Sequence, residues 1–450
     1  MIKSKSIYKR FWIVLMLFLI CNYSIYFIFQ NKVQNIYNSL DGTSLHGTRK
    51  TALIGAIVLN RTQTFSKTTN IKKTVNIWKT SDIANDRILA QKYFKPEVDT
   101  TLPPKNIYPQ NGASAWSVKT GKDIFVEHEC PVQHCSILGS GLNPDTKVDA
   151  RLFKENDLGI SDVGPFLSEA KRFAEQIWIF FALESPMASP NYENLNNVIN
   201  WTATYRPDST VVAPYEKWVP FDNFTEPKNV SKNYAEGKTK KAAAFISNCG
   251  ASNNRLAYIR KLQTYIDVDI FGNCGDKECS RYNGQTCFDM LRKDYKFYLA
   301  FENSNCRHYI TEKFFLNALQ SDVIPVVMGA HPDDYLRAAP PGSFIHVEDF
   351  PSVEALADYL HKLDQNDYLY NQYFRWKGTG SFIDTKFWCR ICAMLWDPEM
   401  PQLQVSSLEE WWRPKDICVT TWNNIVWDVQ NPNSPPREER SENKSTISLL

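Results

Sequence analysis

Three positions combine a charged side chain with a setting in which it can act on a ligand. Glu184 ends a continuous apolar run, Gln176 to Leu183 (QIWIFFAL), of the kind that forms a buried strand. Ser185-Pro186 then turns the chain out of the strand. A carboxylate at a strand end, over a cleft, is a candidate for proton abstraction; on the residues alone, a solvated turn glutamate is the plainer reading. Arg255 follows a second apolar run, Ala242 to Ile246, through Ser247-Asn248-Cys249-Gly250-Ala251-Ser252-Asn253-Asn254. Small and helix-capping residues there predict a helix over Arg255 to Tyr265. Such a strand–loop–helix suits a diphosphate, and a guanidinium can hold phosphate oxygens in pairs, although a lone arginine is usually a surface residue. Lys313 stands in the first turn of a helix opened by Tyr309-Ile310-Thr311-Glu312, with Ile310, Phe314 and Ala318 at helical spacing. Free N–H groups and the helix dipole favour an anion at such a start. Glu312 would repel a bare phosphate, but it suits a ligand that also carries sugar hydroxyls.

Other clusters point to different chemistry. Asp267-Val268-Asp269 has the form of a metal-holding D-x-D, but it lies in an alternating stretch, Ile266 to Gly272, that reads as a strand rather than a loop. His128, Cys130, His134 and Cys135, with Cys389 and Cys392, could hold zinc or form disulfides. Of 11 cysteines, Cys21 lies in an amino-terminal apolar run and the other 10 fall between Cys130 and Cys418. An even number in that region favours disulfides and an oxidising compartment. Tyr205, Arg206 and Asp208 either shape a cleft or form a structural Arg–Asp pair. No G-x-G-x-x-G is present, so no dinucleotide cofactor is supported.

The elements that must position these groups are α/β. Phe297 to Phe301 and Val323 to Met328 read as buried parallel strands around the Lys313 helix, although Pro325 is awkward for a central strand. Asp123 to Val126 is a short strand candidate; Phe166 to Arg172, Val353 to Leu363 and Tyr368 to Trp376 have helical character. The 450 residues are enough for two domains. Their 43% hydrophobic and 22% charged content is that of a globular protein, and a net charge of +2 implies no nucleic-acid partner. Lys3, Lys5, Lys9 and Arg10 precede Phe11 to Phe29, which carries no formal charge and is long enough to span a bilayer. The expected order is a cytoplasmic tail (1–10), a transmembrane signal anchor (11–29), a stem (30–105), a first α/β domain carrying Glu184 (106–228), a second (242–422) and a disordered tail (423–450). Ala52 to Leu59 is an apolar stretch within the stem. Sequons stand at Asn60, Asn200, Asn223, Asn229 and Asn443, and several together on a lumenal chain predict glycosylation.

FENSNCRHYITEKFFLNAL, followed by VIPVVMGAHPDDY and SFIHVEDF, resembles the donor-site signature of the α1,3-fucosyltransferases, glycosyltransferase family 10. The resemblance covers roughly residues 120 to 420. It implies a GT-B fold, two Rossmann-like domains facing a cleft, and inverting transfer of L-fucose from GDP-fucose. Glu184 matches the glutamate of the family's (L/E)-E-S-P motif, the catalytic base there. Arg255 matches an S-N-x(6)-R spacing begun by Ser247 and Asn248, and Tyr205, Arg206 and Asp208 fall in a T-Y-R-x-D-S segment. With Asn303, Tyr309, Glu312 and Lys313, the Ser247, Asn248 and Arg255 positions would bind GDP-fucose. The family is not built around a D-x-D, which implies no essential metal and a divalent ion that is at most stimulatory.

Within the family the likeness is to invertebrate core α1,3-fucosyltransferases, carried by Trp201-Thr202-Ala203-Thr204-Tyr205, Tyr215-Glu216-Lys217-Trp218, Phe245-Ile246-Ser247-Asn248-Cys249-Gly250, Trp376-Lys377-Gly378-Thr379-Gly380 and Trp388-Cys389-Arg390-Ile391-Cys392. It implies an N-glycan glycoprotein acceptor, fucosylated on its Asn-linked GlcNAc, and a single-pass Golgi membrane protein with lumenal catalytic domains. Two other readings stay open: a Lewis-type enzyme acting on N-acetyllactosamine, and a catalytically silent glycan-binding protein. The resemblance also implies that the carboxyl-terminal C-x-x-C joins cysteines of the first domain, as Cys130–Cys389 and Cys135–Cys392. The pairing of Cys249, Cys274, Cys279, Cys287, Cys306 and Cys418 stays open among fifteen arrangements.

Overall fold

The computed structural model describes residues 76–78, 86–143, 146–158, 175–222, 232–279 and 284–423. The anchor run, Ala52 to Leu59, Phe166 to Arg172 and the sequons at Asn60, Asn223, Asn229 and Asn443 lie outside them.

Five short strands form the first sheet: β1 (Lys105–Pro109), β2 (Cys135–Ile137), β3 (Ala150–Lys154), β4 (Ile177–Ala182) and β5 (Trp201–Thr204). All are parallel, in the order β2-β1-β3-β4-β5. After β6 (Lys217–Pro220), a second parallel sheet is built from β7 (Lys240–Phe245), β8 (Val268–Phe271), β9 (Tyr295–Phe301), β11 (Ile324–Met328) and β12 (Ile345–His346); β10 (Asn305–Cys306) lies in the loop after β9. Its order is β12-β11-β9-β7-β8. Renumbered from its own first strand, that is the same doubly wound order as in the first sheet. Each half thus has its topological switch beside its first strand, and ligands bind outside the carboxyl ends there. The central strands explain the unbroken apolar runs: β9 and β11 are buried at every residue. Pro325 is accommodated because β11 pairs with β12 only at Val326 and Val327, so its missing N–H falls where that neighbour has not begun.

Three expectations are corrected. Asp123–Glu127 is a helix, not a strand; its one buried side chain is Phe125, while Val126 is exposed, as one amphipathic turn requires. The stem does not extend to residue 105. The helix Arg87–Lys92 buries Arg87, Ile88 and Gln91, and β1 begins at Lys105. Nor does the second half run to residue 422. The helix Phe387–Leu395 inserts Cys389, Ile391, Cys392 and Met394 among Ile107, Leu152 and Trp201, and Leu408 and Trp412 pack with Trp178, Phe180 and Tyr192. The returning chain covers apolar faces of the first sheet.

The halves are also stitched by strand pairing. β13 (Gly380–Ile383) lies antiparallel to β6, and β14 (Cys418–Val419) to β10. Gly380 is required at its crossing, because a Cβ would stand 2.4 Å from Val219 O and 2.5 Å from the Trp218 ring.

All ten cysteines of the described residues are paired: Cys130–Cys389, Cys135–Cys392, Cys249–Cys274, Cys279–Cys287 and Cys306–Cys418. The first two span 259 and 257 residues and interleave along the chain, their ends lying side by side. Either alone removes about 5 to 6 kcal/mol of loop entropy in the chain-entropy model. Once one is closed, the other closes a loop of only roughly eight residues and adds about 2 to 3 kcal/mol. Removing one bridge by paired Cys→Ala substitution should therefore cost much less than half the loss on removing both. Denaturant unfolding of the three variants measures this; additive losses would contradict it.

A second pin holds the loop after β9. Asp334, its side chain 1% exposed, accepts from Arg307 Nε and Nη2 (2.8 Å each) and from the His308 N–H (2.9 Å). Burial alone would raise its pKa, but the Arg307 fork and His308 outweigh it and hold the carboxyl well below the usual carboxylate range. A depressed folded-state pKa adds stability above the unfolded value and loses it as pH falls. The melting temperature of Asp334→Asn should accordingly depend less on pH than that of the parent below about pH 4. Parallel acid profiles would count against this role.

Candidate active site

Glu184 lies just beyond β4, at the carboxyl end of the first sheet. The turn that carries it is fixed from the returning chain. Arg413 Nε donates to Pro186 O (3.0 Å), and its Nη2 donates to the carbonyls of Ser189 and Pro190 (2.6 Å each). Ser185 Oγ meets Ser304 Oγ of the other half at 2.8 Å. Across the cleft, Tyr309 OH donates to Glu184 Oε2 at 3.1 Å, and Asn303 Nδ2 reaches the same oxygen at 3.5 Å. Burial and nearby carboxylates push the Tyr309 phenol up, so it donates and does not ionise. Oε1 of Glu184 has no hydrogen-bond partner among the described residues, which leaves it to accept a proton from an incoming hydroxyl.

The donor-side residues converge at the switch of the second sheet, between the loops after β7 and β9. Arg255, 3% exposed, donates from Nη1 to Phe301 O (2.7 Å) and from Nη2 to Asn248 O (3.3 Å). Its Nε is buried with no hydrogen-bond partner among the described residues. Asn253 Nδ2 donates to Glu302 O at 3.0 Å, and Ser252 Oγ to Asn303 O at 3.2 Å, locking the loops together. Ser247 and Asn248 are exposed just beyond β7.

Lys313 opens a π-helix, Lys313–Ala318, rather than the α-helix its spacing predicts; single π turns are frequent at functional sites. Its ammonium is saturated by Thr311 Oγ1 (2.9 Å), Glu302 Oε2 (3.0 Å) and Glu312 Oε1 (3.2 Å). Burial opposes its charge, but Glu302 and Glu312 outweigh burial and push its pKa up. Of the three partners only Glu312 is exposed, at 45%, so a ligand oxygen reaches Lys313 by displacing it.

Glu302 is the functional residue that sequence reasoning missed. It is wholly buried, and it accepts from Thr311 N (2.8 Å) and Thr311 Oγ1 (2.9 Å) besides Lys313. Gly329, at φ +149°, makes room for it; a Cβ there would stand 2.6 Å from Glu302 Cγ. The signal was its place directly after a buried strand, as Glu184 follows β4. Glu155, just beyond β3, is a second acid near the base; burial raises its pKa, and the negative charge of Glu184 adds to the rise.

Other candidates fall outside this constellation. Arg206 forks onto Asp208 (2.9 and 2.6 Å) and lies over the Trp411 ring, so the pair is structural. Tyr205 does reach the site: its ring centroid is 5.4 Å from that of Tyr309. Asp269 accepts from Tyr295 OH (2.5 Å) and lies 3.7 Å from Lys277, so it is engaged within its own sheet. Asn200 donates from Nδ2 to Leu403 O and accepts from Trp178 N, which makes it a poor glycan attachment point. Cys130, Cys135, Cys389 and Cys392 are in disulfides, and no group of three or more metal-ligating side chains occurs among the described residues.

Residues 110–216 match the model of the fucosyltransferase N-terminal region, and residues 235–411 that of the glycosyltransferase family 10 (fucosyltransferase) C-terminal region. The chain is 45% identical over 351 residues to glycoprotein 3-alpha-L-fucosyltransferase A of Drosophila melanogaster, covering 76% of this chain and 68% of that one. It is 32% identical to alpha-(1,3)-fucosyltransferase C of the same fly, covering 66% and 73%. A solved α1,3-fucosyltransferase with GDP-fucose is 17% identical, with a TM-score of 0.43, covering 70% of this chain and 97% of that one; at that score it adds nothing to what the sheets themselves display. On the identity and coverage of its fly relative, the chain belongs to glycosyltransferase family 10, the fucosyltransferases.

Proposed function

We propose that the protein is a GDP-fucose-dependent glycoprotein 3-α-L-fucosyltransferase of GT-B architecture, moving L-fucose in α1,3 linkage onto the Asn-linked core GlcNAc of N-glycans. The observation that carries the reading is the meeting of Glu184, from the first half, with Asn303 and Tyr309, from the second. Family membership and the fly relative's name support the acceptor.

Glu184 Oε1 takes the proton of the acceptor hydroxyl as its oxygen bonds to the anomeric carbon, and the bond from that carbon to the GDP oxygen breaks on the opposite face. Tyr309, donating to Oε2, orients the carboxylate. Negative charge grows on GDP. Arg255, with its unpartnered Nε, and Lys313 stand ready to stabilise it, together with donor contacts from Ser247, Asn248 and Asn303. A diphosphate oxygen replaces Glu312 on Lys313, and the released carboxylate accepts from a fucose hydroxyl. Two fixed cations make a metal dispensable, and the engagement of Asp269 by Tyr295 and Lys277 supports that view.

The five disulfides support placement in an oxidising lumen, and the charge-free run behind four basic residues suits a single-pass type II anchor in the Golgi membrane.

Glu184→Gln should lose transfer by about 10²- to 10⁴-fold while still binding GDP-fucose; a variant retaining most of its turnover would sink the assignment. In the same assay a GlcNAc-terminated N-glycopeptide should be fucosylated in preference to N-acetyllactosamine, and the reverse preference would identify a Lewis-type enzyme. Arg255→Ala and Lys313→Ala should each weaken donor binding and slow the chemical step. Substantial activity should survive EDTA. Complete, metal-reversible loss would overturn the metal-free reading.

A further inference from the structure

Beside the base lies a cavity of about 320 Å³, at the small end of the roughly 300 to 1,000 Å³ typical of ligand pockets. Tyr205 lines it, and the Tyr205 ring packs on Tyr309, whose hydroxyl holds Glu184. Tyr215, between the lining residues Pro214 and Glu216, donates to Leu183 O next to the base. One aromatic layer therefore separates the cavity from the reacting centre.

Its charges are balanced. Lys217 pairs with Asp86, and Arg337, at 2.6 Å, shares Asp334 with Arg307 and His308. Arg87 is occupied by the carbonyls of Pro207, Ser209 and Thr210. The lining acids Asp86, Glu216 and Asp334 match Arg87, Lys217 and Arg337 in number, so the lining carries no surplus of cations with which to draw a nucleotide or other anion. Glu216 is the exception to the pairing: half-buried, it has no hydrogen-bond or ion-pair partner among the described residues. It offers an acceptor to a hydroxyl, and half-exposed Arg337 offers donors. Val212, Ile310 and Phe315 supply an apolar surface for the C–H face of a ring. Paired charges, one free carboxylate and an apolar surface fit a neutral polyhydroxylated ligand. One wall, Asp86 to Ile88, precedes the segment matched by the family models, which begins at residue 110.

We propose that this cavity is a second carbohydrate subsite, holding a neutral sugar of the acceptor glycan beyond the one that Glu184 deprotonates. The proposal rests on the glycosyl-transfer reading but not on which acceptor is used.

The test is binding, read without turnover, on the full chain in detergent with saturating GDP. Calorimetry compares an Asn-linked trimannosyl chitobiose glycopeptide with the same peptide bearing one GlcNAc and with the bare peptide. N-acetyllactosamine alone and at the end of a longer glycan forms a parallel pair. For at least one pair the longer glycan should bind more tightly. Glu216→Gln and Arg337→Ala should each remove that advantage, weakening the longer ligand roughly tenfold as a hydrogen bond to a charged group is lost, with GDP affinity as the folding control. The proposal is overturned if neither pair shows an advantage, if both variants keep it, or if the bare peptide binds as well as the glycopeptide, which would make the cavity a polypeptide site. Failure of the core-acceptor reading appears separately, as absent transfer to the GlcNAc glycopeptide while one of these binding differences persists.

Discussion

The contact on which the site depends is the hydrogen bond from Tyr309 OH to Glu184 Oε2, because it is made between two halves that fold around separate sheets. A hydrogen bond to a charged group contributes about 1.5 to 3 kcal/mol. That is too little to hold two domains together, so the halves must be brought to register by other means. Ser185 against Ser304 and the β6–β13 pair do this, and the two bridges to the helix Phe387–Leu395 anchor the returning chain on the first half. The Tyr309–Glu184 contact is then the consequence of a fixed geometry rather than its cause.

On the donor side, burial and charge work against each other. A wholly buried Glu302 beside Lys313 costs desolvation on both partners, and the pair alone would not repay it. Thr311 supplies two further donors to Glu302, and Gly329 gives the side chain its space. The result is an ammonium fixed in position at the carboxyl end of β9, with one replaceable partner, Glu312. A lysine free in solvent would have to be ordered each time a donor bound, whereas this one is already placed.

Much of the architecture was legible because buried parallel strands write themselves as unbroken apolar runs. QIWIFFAL and the stretch around Phe297 to Phe301 announced β4 and β9, and with them the two strand ends that carry the site. Arg255 and Lys313 were legible as cations after strands. What stayed hidden depends on contacts distant in sequence. Glu302 reads as a polar loop residue until Thr311 and Lys313 fold over it. Arg206 reads equally as a cleft residue or as half of a structural pair with Asp208, and the choice is made by the Trp411 ring, 205 positions later. The helix Arg87–Lys92 carries no strong period, and its burial comes from loop carbonyls that accept from Arg87 and Gln91.

The path of the chain sets how far the cleft can open. It passes from the first half to the second after β6, returns before the helix Phe387–Leu395, and crosses again after Arg413. There Cys418 joins Cys306, and Trp422 and Asn423 donate to Glu348. A hinge on one linker would be free to swing; a hinge on three covalent crossings must bend all of them about a common axis. The final passage is tied at both ends, by Arg413 and by the Cys306–Cys418 bridge, and the return is tied at its first-half end by Cys389 and Cys392. Large opening would break β6–β13 or β10–β14 pairing, so the structure favours small excursions around the closed geometry. An inverting displacement benefits from that restriction, since base, acceptor oxygen, anomeric carbon and leaving oxygen must stay close to one line, and misplacement by about 1 Å costs on the order of a hundredfold in rate.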